Sequence, residues 1–428
     1  MREIRHGGVR GLMGYPAAEE PDPAGAWVRA VSRPPRAASL YIHIPYCRSR
    51  CSFCPFYRGS ADEREWREYV TLLEKELRET SPLFAGTVVS TVYFGGGTPS
   101  DLSPGAIRSL LRTLKSCYRL ANDCEITLES RIDGFDEERI AAALENGVNR
   151  FSLGVQTFDT GLRRTLDRKS DRETVLKLIE RLTGAGQASV AADILYGLPG
   201  QTPKMLLRDL DTAVKETTLS GISFYRLNIH EKLPLAEKIR QGLMPKLPGE
   251  EECFELFSLC EERLKEAGAK RLSFKHFSLH PRERDLHNEL CAWKSPCIPF
   301  GIGAGGRLGF RRFKQTGEFE VYRRLTEEGR KPLASAGKFP ADHAVGARIA
   351  GQLNCRMNCD PEYTAAAAPE GLREKVRKNL ENSLAELTAK GFFHPPRFGA
   401  YRLTRQGRFQ CGAVASELME CAARAWEQ

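Results

Sequence analysis

At 428 residues the chain exceeds what one hydrophobic core usually fills, roughly 250 to 300 residues, so a large α/β domain with a smaller companion is expected. Its 64 Lys+Arg against 55 Asp+Glu leave a net charge of +9, a bias that suits an anionic ligand and selects no particular one. Neither a charged-then-apolar leader nor an apolar run long enough to cross a bilayer is present, which argues against a membrane protein and for a reduced, cytoplasmic setting for the 13 cysteines.

The first segment, 1–36, is rich in Pro, Ala and Gly with scattered Arg and reads as an extended N-terminal arm. From residue 37 to 245, β-branched and aromatic runs at 40–44, 90–94, 125–128, 150–155, 190–196 and 222–227 alternate with helix-period segments. Ser103-Pro104 and Thr202-Pro203 each set an N-cap residue before a proline at the first helical position. Six β/α units in strict alternation predict a parallel sheet in an open, partial (β/α)6 barrel, with chemistry at the carboxyl ends of the strands. Segment 246–335 starts with a helix at 250–267 and then becomes irregular, and it is expected as an extension covering the substrate. The remainder, 336–428, predicts a smaller, mostly helical domain in which a helix at 371–390, a short aromatic hairpin at 392–401 and a last helix from 403 make a winged-helix-like order.

Directly after the first strand comes Tyr41-Ile-His-Ile-Pro-Tyr-Cys-Arg-Ser-Arg-Cys-Ser-Phe-Cys-Pro55, which spaces Cys47, Cys51 and Cys54 as C-x3-C-x2-C. Three thiolates suit a [4Fe-4S] cluster in which one iron is left open for another ligand. Zinc is the competing reading, but zinc sites ordinarily pair C-x2-C with a second pair of Cys or His, and none follows within reach. Gly95-Gly-Gly-Thr-Pro99 ends the second strand and exposes backbone for close approach of a small charged molecule. Glu129, Gln156, Arg168 and Asp193 follow in or just after successive strands. Arg168 could hold a carboxylate through two parallel bonds, and the other three could bond an amino group and ribose hydroxyls.

The motifs Tyr-Ile-His-Ile-Pro-Tyr-Cys, Tyr-Phe-Gly-Gly-Gly-Thr-Pro-Ser, Phe-Ser-Leu-Gly-Val-Gln-Thr-Phe and Asp-Ile-Leu-Tyr-Gly-Leu-Pro-Gly-Gln resemble radical S-adenosylmethionine (SAM) enzymes of the oxygen-independent coproporphyrinogen oxidase-like superfamily. The resemblance covers about residues 38–330. It implies that Cys47, Cys51 and Cys54 hold the cluster and that SAM chelates the open iron. It further implies SAM contacts at Tyr41, Phe53, Gly96, Gly97, Thr98, Glu129, Gln156, Arg168 and Asp193. Reductive cleavage of SAM to a 5′-deoxyadenosyl radical would then be the cofactor's chemistry, with the protein orienting it.

Four local sequences, Ile126-Thr-Leu-Glu-Ser-Arg131, Leu166-Asp-Arg-Lys-Ser-Asp171, Arg282-Glu-Arg-Asp-Leu-His-Asn288 and Phe300-Gly-Ile-Gly-Ala-Gly-Gly306, resemble the anaerobic heme-degrading ChuW/HutW branch, the anaerobilin synthases. Coproporphyrinogen oxidases and HemW heme chaperones usually carry Glu-x-x-Pro where this chain has Glu129-Ser-Arg131-Ile132. The resemblance implies a C-methyltransferase that opens heme to a methylated linear tetrapyrrole and releases iron, with more than one SAM per turnover and a flavodoxin-like electron donor. Arg131, Arg282, Arg284, His287 and Asn288 are the expected heme contacts, with His276 and His280 behind them. The pairs Cys291 with Cys297 and Cys355 with Cys359 show no complete ligand set and are expected to be plain thiols. Nucleic acid is not an expected partner, because the tail lacks a dense Lys/Arg stretch.

Overall fold

A computed structural model describes residues 17–57 and 59–427. Thirteen strands form one sheet: β1 (Ala18–Glu20), β2 (Ala37–Ile44), β3 (Val88–Gly96), β4 (Arg119–Ser130), β5 (Arg150–Gln156), β6 (Ser189–Tyr196), β7 (Gly221–Arg226), β8 (Lys270–Arg271), β9 (His276–Ser278), β10 (Cys297–Phe300), β11 (Gly305–Leu308), β12 (Arg311–Gln315) and β13 (Leu333–Lys338). Their order is β1-β13-β12-β11-β10-β2-β3-β4-β5-β6-β7-β9-β8, so the sheet is open and not a closed barrel. The run from β10 through β2 to β7 is parallel throughout. The six strands expected from the sequence are therefore β2 to β7, and β10 adds a seventh parallel strand.

Alternation along these strands separates two faces. Leu40, Ile42, Val92, Phe94, Ile126, Leu128, Phe151, Leu153, Val190, Ile194 and Phe224 join Leu73, Leu77, Leu110, Leu114, Leu178, Leu182 and Leu210 of the flanking helices in one buried apolar cluster. The helices are seated by local bonds. In Glu63–Thr80, for example, Asp62 accepts from the Glu65 amide at 2.8 Å and Glu65 accepts from the Asp62 amide at 2.8 Å, a reciprocal cap that satisfies two otherwise orphaned donors. The alternate positions, Ser39, Tyr41, Thr91, Tyr93, Glu125, Glu129, Ser152, Gln156, Asp193 and Ser223, are polar or aromatic. Strands of parallel sheets normally read as continuous apolar runs because both faces are covered by hydrophobic packing. The polar second face departs from that pattern, and toward its carboxyl end Glu129, Ser152, Gln156 and Asp193 line a cavity.

One expected segment needs correction. Residues 1–16 of the predicted extended arm lie outside the described residues, but 17–36 are packed structure. β1 pairs with β13, and the helix Pro23–Val31 is capped by Asp22. That helix buries Trp27 edge-on against Phe313 and Phe84, with ring centroids 5.2 and 6.2 Å away. The Asp22-Pro23 start of a helix outweighs the Pro/Gly bias of its surroundings.

Segment 246–335 packs its helix Leu286–Ala292 against the polar face, where His287 stacks on Tyr93 at 4.6 Å. It extends the sheet at both edges, β9 pairing antiparallel with β7 and β10 parallel with β2. Its turn at 283–287 meets the amino-terminal ends of the central strands. Glu283 accepts from Arg150 Nε and contacts His276 Nε2, each at 2.9 Å, and Asp285 lies 3.1 Å from Arg150 Nη2. Glu125 accepts the Leu286 and His287 amides at 3.1 and 3.0 Å. These buried charges are mutually paired, as charge in a low-dielectric interior requires. The tail holds a second apolar cluster from Phe339 to Ala425, built largely on the helices Glu370–Ala389 and Cys411–Ala423, with a two-stranded pairing of Asn358–Cys359 and Tyr401–Arg402 beside it.

Candidate active site

The cysteine loop leaves the carboxyl end of β2 and is tied to the carboxyl end of β3. The Gly97 amide donates to Ile44 O at 2.6 Å, and the Thr98 amide donates to Tyr46 O at 3.0 Å. A Cβ on Gly97 would sit 2.5 Å from Tyr46 O and 2.9 Å from Ile44 O, so only glycine permits this contact. The loop is pinned further by the Arg48 amide on Asp101 Oδ2 at 2.8 Å and by the Thr98 hydroxyl, which donates to Cys47 Sγ at 3.1 Å.

Cys47, Cys51 and Cys54 open onto one cavity of about 250 Å³. Phe53, Gly97, Thr98, Glu129, Arg131, Gln156, Arg168 and Asp193 line the same cavity. The sequence-predicted residues thus come together from β2 to β6 at the strands' carboxyl ends. Gly96 stands at its edge, where its amide donates to Glu129 Oε2 at 3.1 Å. Tyr41 lies beneath, stacked on Tyr93 with ring centroids 6.3 Å apart, and its hydroxyl is 3.0 Å from His43 Nδ1.

Burial dominates the electrostatics of the cavity. Burial raises Glu129 to about 7, Asp193 adds to the rise, and bonds from Tyr93 and the Gly96 amide oppose it. Burial also raises Asp193 against the pull of Arg150, His276 and Lys275. The Cys47 thiol is pushed up by burial to about 11. Arg168 is fixed by a 2.9 Å bond from Nη1 to Gly154 O and lies over the Phe53 ring at 5.7 Å. Its Nε is buried with no partner, as is Nε of Arg131. Both guanidinium groups belong to residues that line the cavity, so their charge acts on an anionic ligand there. Gln156 adopts φ +70°, an uncommon conformation for a residue with a side chain, at the point where the β5–β6 register shifts. Three soft thiols, backbone groups at a glycine turn, carboxylates and guanidinium donors fit a [4Fe-4S] cluster beside a zwitterionic amino acid such as SAM.

The other expected substrate contacts lie elsewhere. Arg282, Arg284, His287 and Asn288 sit at the amino-terminal end of the sheet and do not line the cavity. Arg282 donates to Gly186 O, Arg284 bonds Asp123 Oδ2 at 2.9 Å, and Asn288 donates to Asp285 Oδ1 at 2.7 Å. The intervening Glu283 and Asp285 turn inward onto Arg150, which leaves Arg282 and Arg284 facing outward. His276 bonds Ser223 Oγ at 2.7 Å as well as Glu283. Arg131 alone of that group reaches the cavity, where its Nη1 donates to Ser49 O at 2.8 Å. Sequence reasoning missed Tyr93, which donates to Glu129 Oε1 at 2.7 Å. Its signal was the polar hydroxyl at an inward position of Val92-Tyr93-Phe94.

The Radical SAM superfamily model matches residues 41–213. Anaerobilin synthase of Escherichia coli O157:H7 is 32% identical over 394 residues, covering 90% of this chain and 84% of that protein. The heme chaperone HemW of Bacillus subtilis is 27% identical, covering 86% and 96%. The solved structure of coproporphyrinogen III oxidase HemN from Escherichia coli superposes with a TM-score of 0.82 at 23% identity, covering 96% of each chain. The chain therefore belongs to the radical SAM superfamily as a HemN-like enzyme close to the ChuW type, a family whose cofactors are a [4Fe-4S] cluster and SAM.

Proposed function

We propose that this enzyme opens the heme macrocycle without oxygen, transferring a SAM-derived methyl group and yielding a linear, methylated tetrapyrrole with release of iron. The observation that carries this reading is the match to anaerobilin synthase along nine-tenths of the chain. Arg131 supports it from the site, because it puts a positive charge on the cavity wall, where a carboxylate-bearing substrate would meet it.

In this reading Cys47, Cys51 and Cys54 hold the cluster, and when bound the cluster and SAM supply one-electron chemistry at otherwise inert carbon. Arg168 would receive the SAM carboxylate, and Glu129, with the strand end at Gly96, Gly97 and Thr98, would receive its amino group. Gln156 and Asp193 would bond the ribose hydroxyls, while Tyr41 would support the floor and Phe53 would supply an apolar wall. Glu129 sits near neutrality, so a cationic ammonium nearby draws it into the ionised state. A second SAM, a flavodoxin-like electron donor, a cytoplasmic setting and a role in iron acquisition complete the proposal. No helix among the described residues is long and apolar enough to cross a membrane.

The test is anaerobic turnover of heme with SAM labelled at the methyl group, analysed by mass spectrometry. An iron-free tetrapyrrole carrying the label supports the reading. Heme recovered intact on the protein favours the chaperone function named for the HemW relative, and label on another small molecule points to a different methylase substrate.

A further inference from the structure

At the end of the sheet away from the cysteine loop, three further metal-binding side chains converge. His287 and Cys291 are four residues apart on the helix Leu286–Ala292 and so share one face, and Cys297 begins β10 beside β2. Their ligand atoms, one imidazole nitrogen and two sulfurs, all lie within 4.8 Å of one another. His287 Nε2 and Cys291 Sγ are 3.6 Å apart. Tetrahedral zinc, with Zn–N of roughly 2.0–2.1 Å and Zn–S of about 2.3 Å, requires an N···S separation of about 3.5–3.6 Å.

The histidine is already held in a coordinating attitude. Its Nδ1 is 3.0 Å from Thr91 Oγ1, its ring stacks on Tyr93 with centroids 4.6 Å apart, and its amide is bonded to Glu125 at 3.0 Å. A proton on Nδ1, donated to the threonine hydroxyl, leaves the Nε2 lone pair directed at the sulfurs, an arrangement typical of metal-bound imidazole. The fourth position has somewhere to go. Cys291 borders a cavity of about 280 Å³ lined also by Lys275, Asn288, Lys294 and Cys355, which gives an ion an entry path and room for a water ligand.

We propose that His287, Cys291 and Cys297 bind one zinc-class divalent ion, with three protein ligands and a fourth position open to that cavity. Binding releases the two thiol protons, so the thiolates neutralise the ion's charge. The ion joins the helix at 286–292 to β10 and braces His287 beneath Tyr93, which in turn bonds Glu129. The site does not depend on the identity of the substrate.

The test uses the full chain with its cluster reconstituted, equilibrated anaerobically with Zn²⁺ alone and then freed of loosely held metal. The expected result is one retained zinc per chain, a zinc-edge absorption spectrum with two sulfur scatterers, and protection of Cys291 and Cys297 from alkylation in the wild-type protein. Cys291→Ser and Cys297→Ser should lose the retained zinc while keeping iron and sulfide content. Thr91→Val should weaken zinc affinity on the order of 10- to 100-fold by freeing the imidazole. The proposal is overturned if well-folded wild-type protein retains no zinc, if the double serine variant retains as much, if the spectrum shows three sulfurs, or if Cys291 and Cys297 alkylate equally with and without zinc.

Discussion

The Tyr93 hydroxyl donates to Glu129 Oε1 across 2.7 Å. Because the Tyr93 ring also stacks on His287 at 4.6 Å, this bond links the floor of the sheet to the cavity at its carboxyl end.

The first prediction concerns that bond. It lowers the Glu129 pKa against the rise caused by burial. Tyr93→Phe removes it, so Glu129 should titrate above about 7 and the pH at which SAM affinity is half-maximal should move up. A neutral hydrogen bond contributes about 1 kcal/mol net and a bond to a charged group somewhat more, so affinity at neutral pH should fall about 5- to 30-fold. Titration calorimetry with SAM from pH 6 to 9 reads both effects, and an unchanged profile would remove Glu129 from the SAM site.

Glu129 should also leave a mark on the stability of the protein free of SAM. Its folded pKa of about 7 lies above the ordinary 4.5, so the folded state binds the extra proton. The protonated carboxyl's contribution is complete below pH 4.5 and is lost as pH rises through about 7. Glu129→Gln should flatten that part of the pH–stability curve. Denaturant melts at pH 5 and pH 8 measure the difference, and equal slopes in both proteins would contradict the assignment.

At the other end of the sheet, Glu283 is held well below the usual carboxylate range by Arg150, His276 and Ser189, against a large burial penalty. Its contribution is present above the ordinary glutamate pKa near 4.5 and falls away at lower pH. Glu283→Ala leaves Arg150 buried with only Asp285 opposite it and should cost on the order of 3–5 kcal/mol. Arg150→Met combined with Glu283→Leu and Asp285→Asn, which leaves neither carboxylate without its cation, should recover much of that loss in thermal melts, whereas a triple variant as unstable as the single one would show that the cluster does more than neutralise itself.

Gly97→Ala should leave the fold intact and lower the cluster content. The added methyl meets the backbone carbonyls of Tyr46 and Ile44, and the loop carrying Cys47 must shift. The strain is about 1–3 kcal/mol, small beside global stability but applied where the thiols must be positioned. Iron and sulfide analysis after reconstitution decides it, and full loading would mean that the loop tolerates the shift.

Much of this was legible in the chain. The six parallel strands followed from short apolar runs alternating with helix-period segments, and most of the cavity from Cys47, Cys51 and Cys54 after the first strand with Glu129, Gln156 and Asp193 in later ones, while Arg168 is brought in by the loop after the helix Thr160–Thr165. The seventh parallel strand was not legible, since β10 pairs with β2 across more than 250 residues and no local signal specifies a partner that distant. The arginines of Arg282-Glu-Arg-Asp285 drew attention as candidate contacts, but the acidic residues that alternate with them are buried against Arg150. Periodicity gives the parity of such a run and not which parity faces inward. Cys291 and Cys297 looked like plain thiols because His287, four residues before Cys291, was read as a heme contact, and the return of the chain into β10 is what sets Cys297 beside them.

The central claim is that heme is the substrate and is broken down. Its most direct measurement is the heme Soret band during anaerobic incubation of the cluster-loaded enzyme with SAM, reductant and heme. The account predicts that the band decays with the wild-type enzyme and persists with Cys51→Ala. A Soret band unchanged by fully loaded wild-type enzyme would contradict it.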